Sequence, residues 1–107
     1  MKIAVTSEGN SSDSLFDSRF GRASWFMVYD TENKNWNAVD NAGNLNAVHG
    51  AGTQSAQNII NMGVSVLVTG HCGPKAQSVL QSAGIKIFET NSGTVTEALA
   101  GFMSSSM

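Results

Sequence analysis

The chain has one cysteine and one proline in 107 residues, and only 13% of its residues are charged. A lone cysteine cannot close an internal disulfide, so nothing asks for an oxidising compartment and a cytoplasmic location is expected. The formal net charge of −2 provides no basic footprint for nucleic acid or for an anionic membrane. No apolar run approaches the roughly 20 residues needed to cross a bilayer. The opening MKIAVTS has one lysine and too short an apolar run for a signal peptide, and reads as a strand. Disorder is excluded as well, because 41% of the residues are hydrophobic. That is enough for one core in a single domain spanning residues 1–107, with no internal repeat or linker to divide it.

What is present is organised around Gly63 to Gly84, GVSVLVTGHCGPKAQSVLQSAG. Its VSVLV run is continuous, apolar and largely β-branched, as in a strand covered on both faces. Ala76, Val79, Leu80 and Ala83 then follow the i, i+3, i+4, i+7 spacing of a helix with one buried face. Between them, Gly70-His71-Cys72-Gly73-Pro74 supplies glycines for a tight turn and a proline suited to the first helical position. Strand, short loop and helix start make half of a βαβ unit, whose ligands bind outside the carboxyl end of the strand.

In chain order, Lys2 to Thr6 is strand β1, and residues 7–22 form a long Ser/Asp/Gly-rich loop expected to be mobile without a ligand. Trp25 to Tyr29 is β2, and a turn over Asp30 to Asn35 leads to a more exposed β3 ending at Asp40. Asn41 to Asn46 is a polar loop. Helix α1 runs from about His49 to Met62, with Ala56, Ile59 and Ile60 inward and Gly63 as its stop. The central stretch supplies β4 and α2, and Ile85 to Phe88 is β5. Helix α3 covers Thr94 to Phe102, with Thr94 and Glu97 as a capping box and Val95, Ala98, Leu99 and Phe102 on one face. The order βββαβαβα predicts an α/β fold of three layers, α/β/α, around a mixed five-stranded sheet. Right-handed crossovers give the order 3-2-1-4-5 with β2 antiparallel. The loops after β1, β3, β4 and β5 then leave the same edge of the sheet. They bring Arg19, Arg22, His49, His71 and Cys72 towards one rim.

Each of these residues reads two ways. Cys72 at a helix start is a candidate thiolate, either a soft-metal ligand or a nucleophile, because helix amides favour the anion. It is equally a small buried hydrophobe. His49 and His71 could join it as metal ligands or serve only as capping groups. Arg19 and Arg22 suit an anion, or they balance Asp13 and Asp17 in a solvated loop. Gly50 and Gly52 make sense in a helix start if the backbone there closely approaches something, although they do not complete a dinucleotide fingerprint. Catalytic constellations are mostly missing. β1 and β4 carry no carboxylate for a two-metal nuclease centre, no arginine follows Cys72, and no serine sits in a Gly-x-Ser-x-Gly elbow. A binding protein rather than an enzyme is expected. A scaffold that docks a protein partner such as an ATPase is the alternative, and a small-molecule enzyme using Cys72 is the third reading.

Three stretches, FDSRFGRASWFMVYD, AVHGAGTQSAQNIINMGVSVLVTGHCGPKAQSVL and SAGIKIF, together resemble the nitrogenase accessory factor family over about residues 2–102. The most specific pieces are Arg19-Phe20-Gly21-Arg22-Ala23, His49-Gly50-Ala51-Gly52 and Gly70-x-x-Gly73-Pro74-Lys75-Ala76. The resemblance implies a ribonuclease H-like arrangement of the sheet without a nuclease centre. It also implies a non-catalytic carrier of a metal–sulfur cluster, of iron–molybdenum type or, as in the orange-protein subgroup, a molybdenum–copper sulfide. Arg19, Arg22, His49, Gly50, Gly52, His71 and Gly73 would face such a cluster, with His49, His71 and Cys72 as inner contacts. A cofactor-assembly protein is a further possible partner. The cysteine is not a fixed element of the family pattern.

Overall fold

The apolar runs form the expected elements, in the expected order. The computed structural model describes residues 1–41 and 51–105. The strands are β1 (Lys2–Ser7), β2 (Trp25–Asp30), β3 (Asn35–Asp40), β4 (Val66–Thr69) and β5 (Lys86–Glu89). The helices are α1 (Ala51–Asn61), α2 (Pro74–Ser82) and α3 (Val95–Ser105), and a short 3-10 turn spans Phe20–Arg22. One five-stranded sheet has the order β3-β2-β1-β4-β5. β2 runs antiparallel to both β1 and β3, while β1, β4 and β5 are parallel.

Strand alternation divides the core into two layers. Ala4, Phe26, Val28 and Leu67 face α1 and α2, where they meet Ala56, Ile59, Ala76 and Leu80. Ile3, Val5, Met27, Val66 and Val68 face the other way, towards Val95, Ala98, Leu99 and Phe102 of α3. The predicted inward face of α3 is therefore observed in full. Its capping box is present too: the Thr94 amide donates to Glu97 Oε1 at 3.0 Å, and the Glu97 amide donates to Thr94 Oγ1 at 3.2 Å. Gly63 adopts φ 72° just past α1, a conformation that carries a steric penalty for any residue with a Cβ.

Three expectations need correction. β4 begins two residues later than its apolar run, at Val66, although the Ser65 amide already bonds the carbonyl of Lys2 at 2.9 Å. On α2 only Ala76 and Leu80 are fully buried; Val79 is half-buried, and Ala83 lies exposed at the C-cap. The 7–22 loop is not an untethered segment awaiting a guest. Backbone hydrogen bonds tie it to β1 (Asp17 to Thr6), to the β4–α2 loop (His71 to Ser18, Phe20 to His71) and to the start of α3 (Val95 to Ser14, Thr96 to Ser12). Its two phenylalanines drive it inward: Phe16 joins the α3 layer and Phe20 the α1/α2 layer.

Candidate functional site

The carboxyl ends of β1 and β4 are adjacent, and the chain fills the crevice between them with its own polar residues. The registers that pair Val5 with Val68 set Thr6 beside Thr69, and both threonines are fully buried. The Thr6 hydroxyl donates to the backbone carbonyl of Asp17 and lies 3.2 Å from the Thr69 hydroxyl. Asp17 itself is only 2% exposed, so the reading of it as a solvated loop charge is wrong. Its carboxylate accepts from the Arg19 amide at 2.9 Å, from Arg19 Nε at 3.2 Å and from Arg19 Nη2 at 3.3 Å. A buried carboxylate needs such partners, because an uncompensated charge in the interior is strongly destabilising. The hydrogen bonds and charge of Asp17 hold the Arg19 guanidinium above its ordinary pKa.

Gly70 makes this arrangement possible. A Cβ placed on it would lie 2.6 Å from the backbone of Ser18. The glycine read as a tight-turn residue thus also admits the protein's own loop. Ser18 and His71 then bond across the contact, with the His71 amide donating to the Ser18 carbonyl at 2.7 Å, and Arg19 pairs beside His71 in a parallel bridge. The topology therefore brings Arg19 and His71 together on one surface, as expected. Both residues are exposed, and Arg22 is exposed one turn further on.

Cys72 points inward. It is 3% exposed and packs in the layer that holds Phe20, Ala76 and Leu80. Burial, reinforced by the nearby Glu89 carboxylate, pushes its thiol up to about 11. Of the two readings of Cys72, its burial fits the small buried hydrophobe, since loss of hydration outweighs the fraction of a kcal/mol that a helix dipole contributes. Its amide, not its sulfur, faces a polar group: it donates to Glu89 Oε2 at 3.2 Å. Next to it α2 begins at Gly73, which has no side-chain cap and nothing within 4 Å of where a Cβ would stand. This end of the helix, unlike the crevice, is open. Gly52 lies in the first turn of α1, whereas His49 and Gly50 fall outside the described residues.

Sequence reasoning missed Thr6, Thr69, Asn41 and Glu89. Asn41, expected in a polar loop, is buried, and its side-chain amide donates to the carbonyl of Ala23 at 2.8 Å and to Ser55 Oγ at 3.3 Å. It thereby joins the end of β3 to α1 and to the exit of the 3-10 turn. The available signal was positional: each of these polar residues lies at or next to the end of a strand, where a side chain can bond a neighbouring loop.

With this arrangement in place the chain can be compared with known proteins. The family model described as dinitrogenase iron-molybdenum cofactor matches residues 1–105. The chain belongs to this family. An uncharacterized protein of Methanocaldococcus jannaschii is 36% identical over 106 residues, covering 96% of this chain and 86% of that protein. Among solved structures, the apo form of the orange protein from Desulfovibrio gigas superposes with a TM-score of 0.93 at 43% identity, covering 97% of this chain and 88% of that one. A Thermotoga protein described as a member of the DUF35 family superposes with a TM-score of 0.84 at 34% identity, covering 96% and 87% of the two chains. The mixed α/β sheet is thus the fold of the orange protein.

Proposed function

We propose that this protein carries an anionic metal–sulfur cluster, of iron–molybdenum or molybdenum–copper sulfide type, at the rim formed by the loops after β1, β3 and β4, and performs no chemistry on it. The observation that carries the reading is the uncapped, open start of α2 at Gly73 beside exposed His71 and Arg19. Membership of a family described by its iron–molybdenum cofactor supports it.

A helix start contributes only about 0.3–1 kcal/mol towards holding an anion, whereas micromolar affinity needs roughly 8 kcal/mol. Several groups must therefore act together. The first-turn amides of α2, and those at the start of α1 around Gly52, would donate to sulfides, with Gly50 expected to join them. Arg19 and Arg22 would supply positive charge. Although tied to Asp17, the Arg19 side chain remains 66% exposed and so still presents donors outward. His71 and His49 would offer imidazole nitrogen to a metal; Cys72, buried and protonated at neutral pH, is left out. Among the described residues no three His, Cys, Asp or Glu side chains gather to hold a bare ion. That favours a preformed cluster, which brings its own sulfide ligands, over a free metal ion.

Anaerobic mixing with tetrathiomolybdate and copper should give a coloured protein with a charge-transfer band that survives desalting. His71→Ala and Arg22→Ala should each weaken retention, and Cys72→Ser should leave the band in place. Protein that remains colourless and metal-free under these conditions would sink the reading.

A further inference from the structure

Two carboxylates at the rim hold donors that an anionic guest would use. Asp17 holds the Arg19 guanidinium from a buried position, its side chain only 3% exposed. Glu89 holds a backbone amide from outside. It ends β5 opposite Thr69, and the Thr90 amide donates to the Thr69 carbonyl at 2.9 Å to close that register. Side chains alternate along a strand. Ile87 packs in the α1/α2 layer and Phe88 in the α3 layer, so Glu89 turns again to the side that carries α2. There its Oε2 accepts from the Cys72 amide at 3.2 Å, two residues before α2 begins at Pro74. Glu89 is exposed, and among the described residues it forms no ion pair. Its charge is felt in the loop, where it follows burial as the second cause that raises the Cys72 thiol.

We infer that Glu89 is a built-in competitor for the guest: its carboxylate holds the Cys72 amide, gives way to an anionic thiometallate, and returns to speed its release. This rests on the carrier reading above and adds to it the residue that sets affinity and release. A guest that bound without displacing Glu89 would sit beside a like charge, which weakens its binding. Glu89 can leave at little cost because it is exposed and its carboxylate regains water. Asp17 cannot, since a buried carboxylate parted from Arg19 is left as an uncompensated charge. Glu89 is also tethered to the site, so it competes at a roughly millimolar effective concentration however dilute the protein is. Once it moves aside, Cys72 serves the guest through its backbone amide, and the buried sulfur takes no part.

Glu89→Gln keeps an acceptor for the Cys72 amide and removes the charge. In anaerobic equilibrium dialysis against tetrathiomolybdate with copper present, it should bind about fivefold tighter than the parent at low salt and release the guest more slowly. The gain should largely vanish at about 1 M salt, where charges are screened beyond about 3 Å. Glu32→Gln removes the same charge from the β2–β3 turn, at the opposite end of the sheet, and should bind as the parent does. In the unmodified protein the Cys72 amide resonance should shift as the guest is added. A parent that binds, with Glu89→Gln no tighter at low salt, would overturn the competitor and leave the carrier reading standing. So would an equal gain from Glu32→Gln, or an unmoved Cys72 amide in a protein that binds. Failure of parent and variant alike to bind would overturn the carrier reading itself, and the competitor with it.

Discussion

The loop after β1 and the loop after β4 lie against one another, yet they dispose of their polar groups in opposite ways. Residues 7–22 turn theirs inward, with the Asp17 carboxylate on Arg19 and its carbonyl on Thr6, and with Phe16 and Phe20 as anchors in the two core layers. The β4–α2 loop buries its one soft nucleophile and leaves a helix start open at Gly73. The first loop is a structural plug and the second a surface that can receive a guest. On the proposed function, the general rule for open α/β sheets, that ligands enter the crevice at the carboxyl ends of the strands, would apply here one layer further out. The crevice proper is closed by the chain, and on the proposed function an incoming anion would meet the outer rim of Arg19, His71 and Gly73.

The two glycines of the β4–α2 loop offer the sharpest way to break this comparison. Gly70→Ala forces a Cβ against the Ser18 backbone, where no flexible side chain can give way, and should cost about 3 kcal/mol in denaturant unfolding. A neutral result would mean that the loop does not seat on β4 as described. Next in size, Asp17→Ala removes the acceptor for the Arg19 amide and guanidinium and should cost about 1–3 kcal/mol. Its proteolytic susceptibility should rise first within residues 7–22.

Cys72 tests the second loop through pH. Its thiol is held up to about 11 in the fold, so the folded state keeps a proton that the unfolded chain, with a thiol near 8.5, releases earlier. The contribution of this residue to stability is therefore complete below about pH 8.5 and declines as pH rises towards 11. Alkylation of the native protein by iodoacetamide should be slow at neutral pH and accelerate only towards strongly alkaline conditions. Rapid neutral labelling would return Cys72 to the list of reactive groups. The smallest effect is expected for Gly73→Ala. With open space around the new methyl, stability should change by less than about 1 kcal/mol, while retention of tetrathiomolybdate should fall because the methyl stands between the guest and the helix amides. Equal retention would argue that the guest does not use this helix start.

Much of the architecture was legible from residue pattern alone. VSVLV pointed to a buried strand, Val95, Ala98, Leu99 and Phe102 to one face of a helix, and Gly63 to a stop. Such features depend on the nearest neighbours in the chain, where periodicity and backbone sterics act. Right-handed crossovers then left little freedom in strand order. The site was less legible because its residues are far apart in sequence. Nothing local to Gly70 says that its missing Cβ makes room for Ser18. Nothing local to Asp17 says that it will be buried, although the spacing of Phe16 and Phe20 in a polar loop hinted that the loop turns inward.

The sequence by itself determined the elements, their order, the two-faced sheet and the convergence of Arg19 and His71 on one rim, because local periodicity and chain connectivity leave few alternatives. Only the tertiary structure decided that Cys72 is a core residue, that Asp17 engages Arg19, and that the loop after β1 closes the crevice. Those outcomes depend on burial and on hydrogen bonds between distant segments, and the cost of removing a charge or a thiolate from water is set only once the surrounding chain is in place.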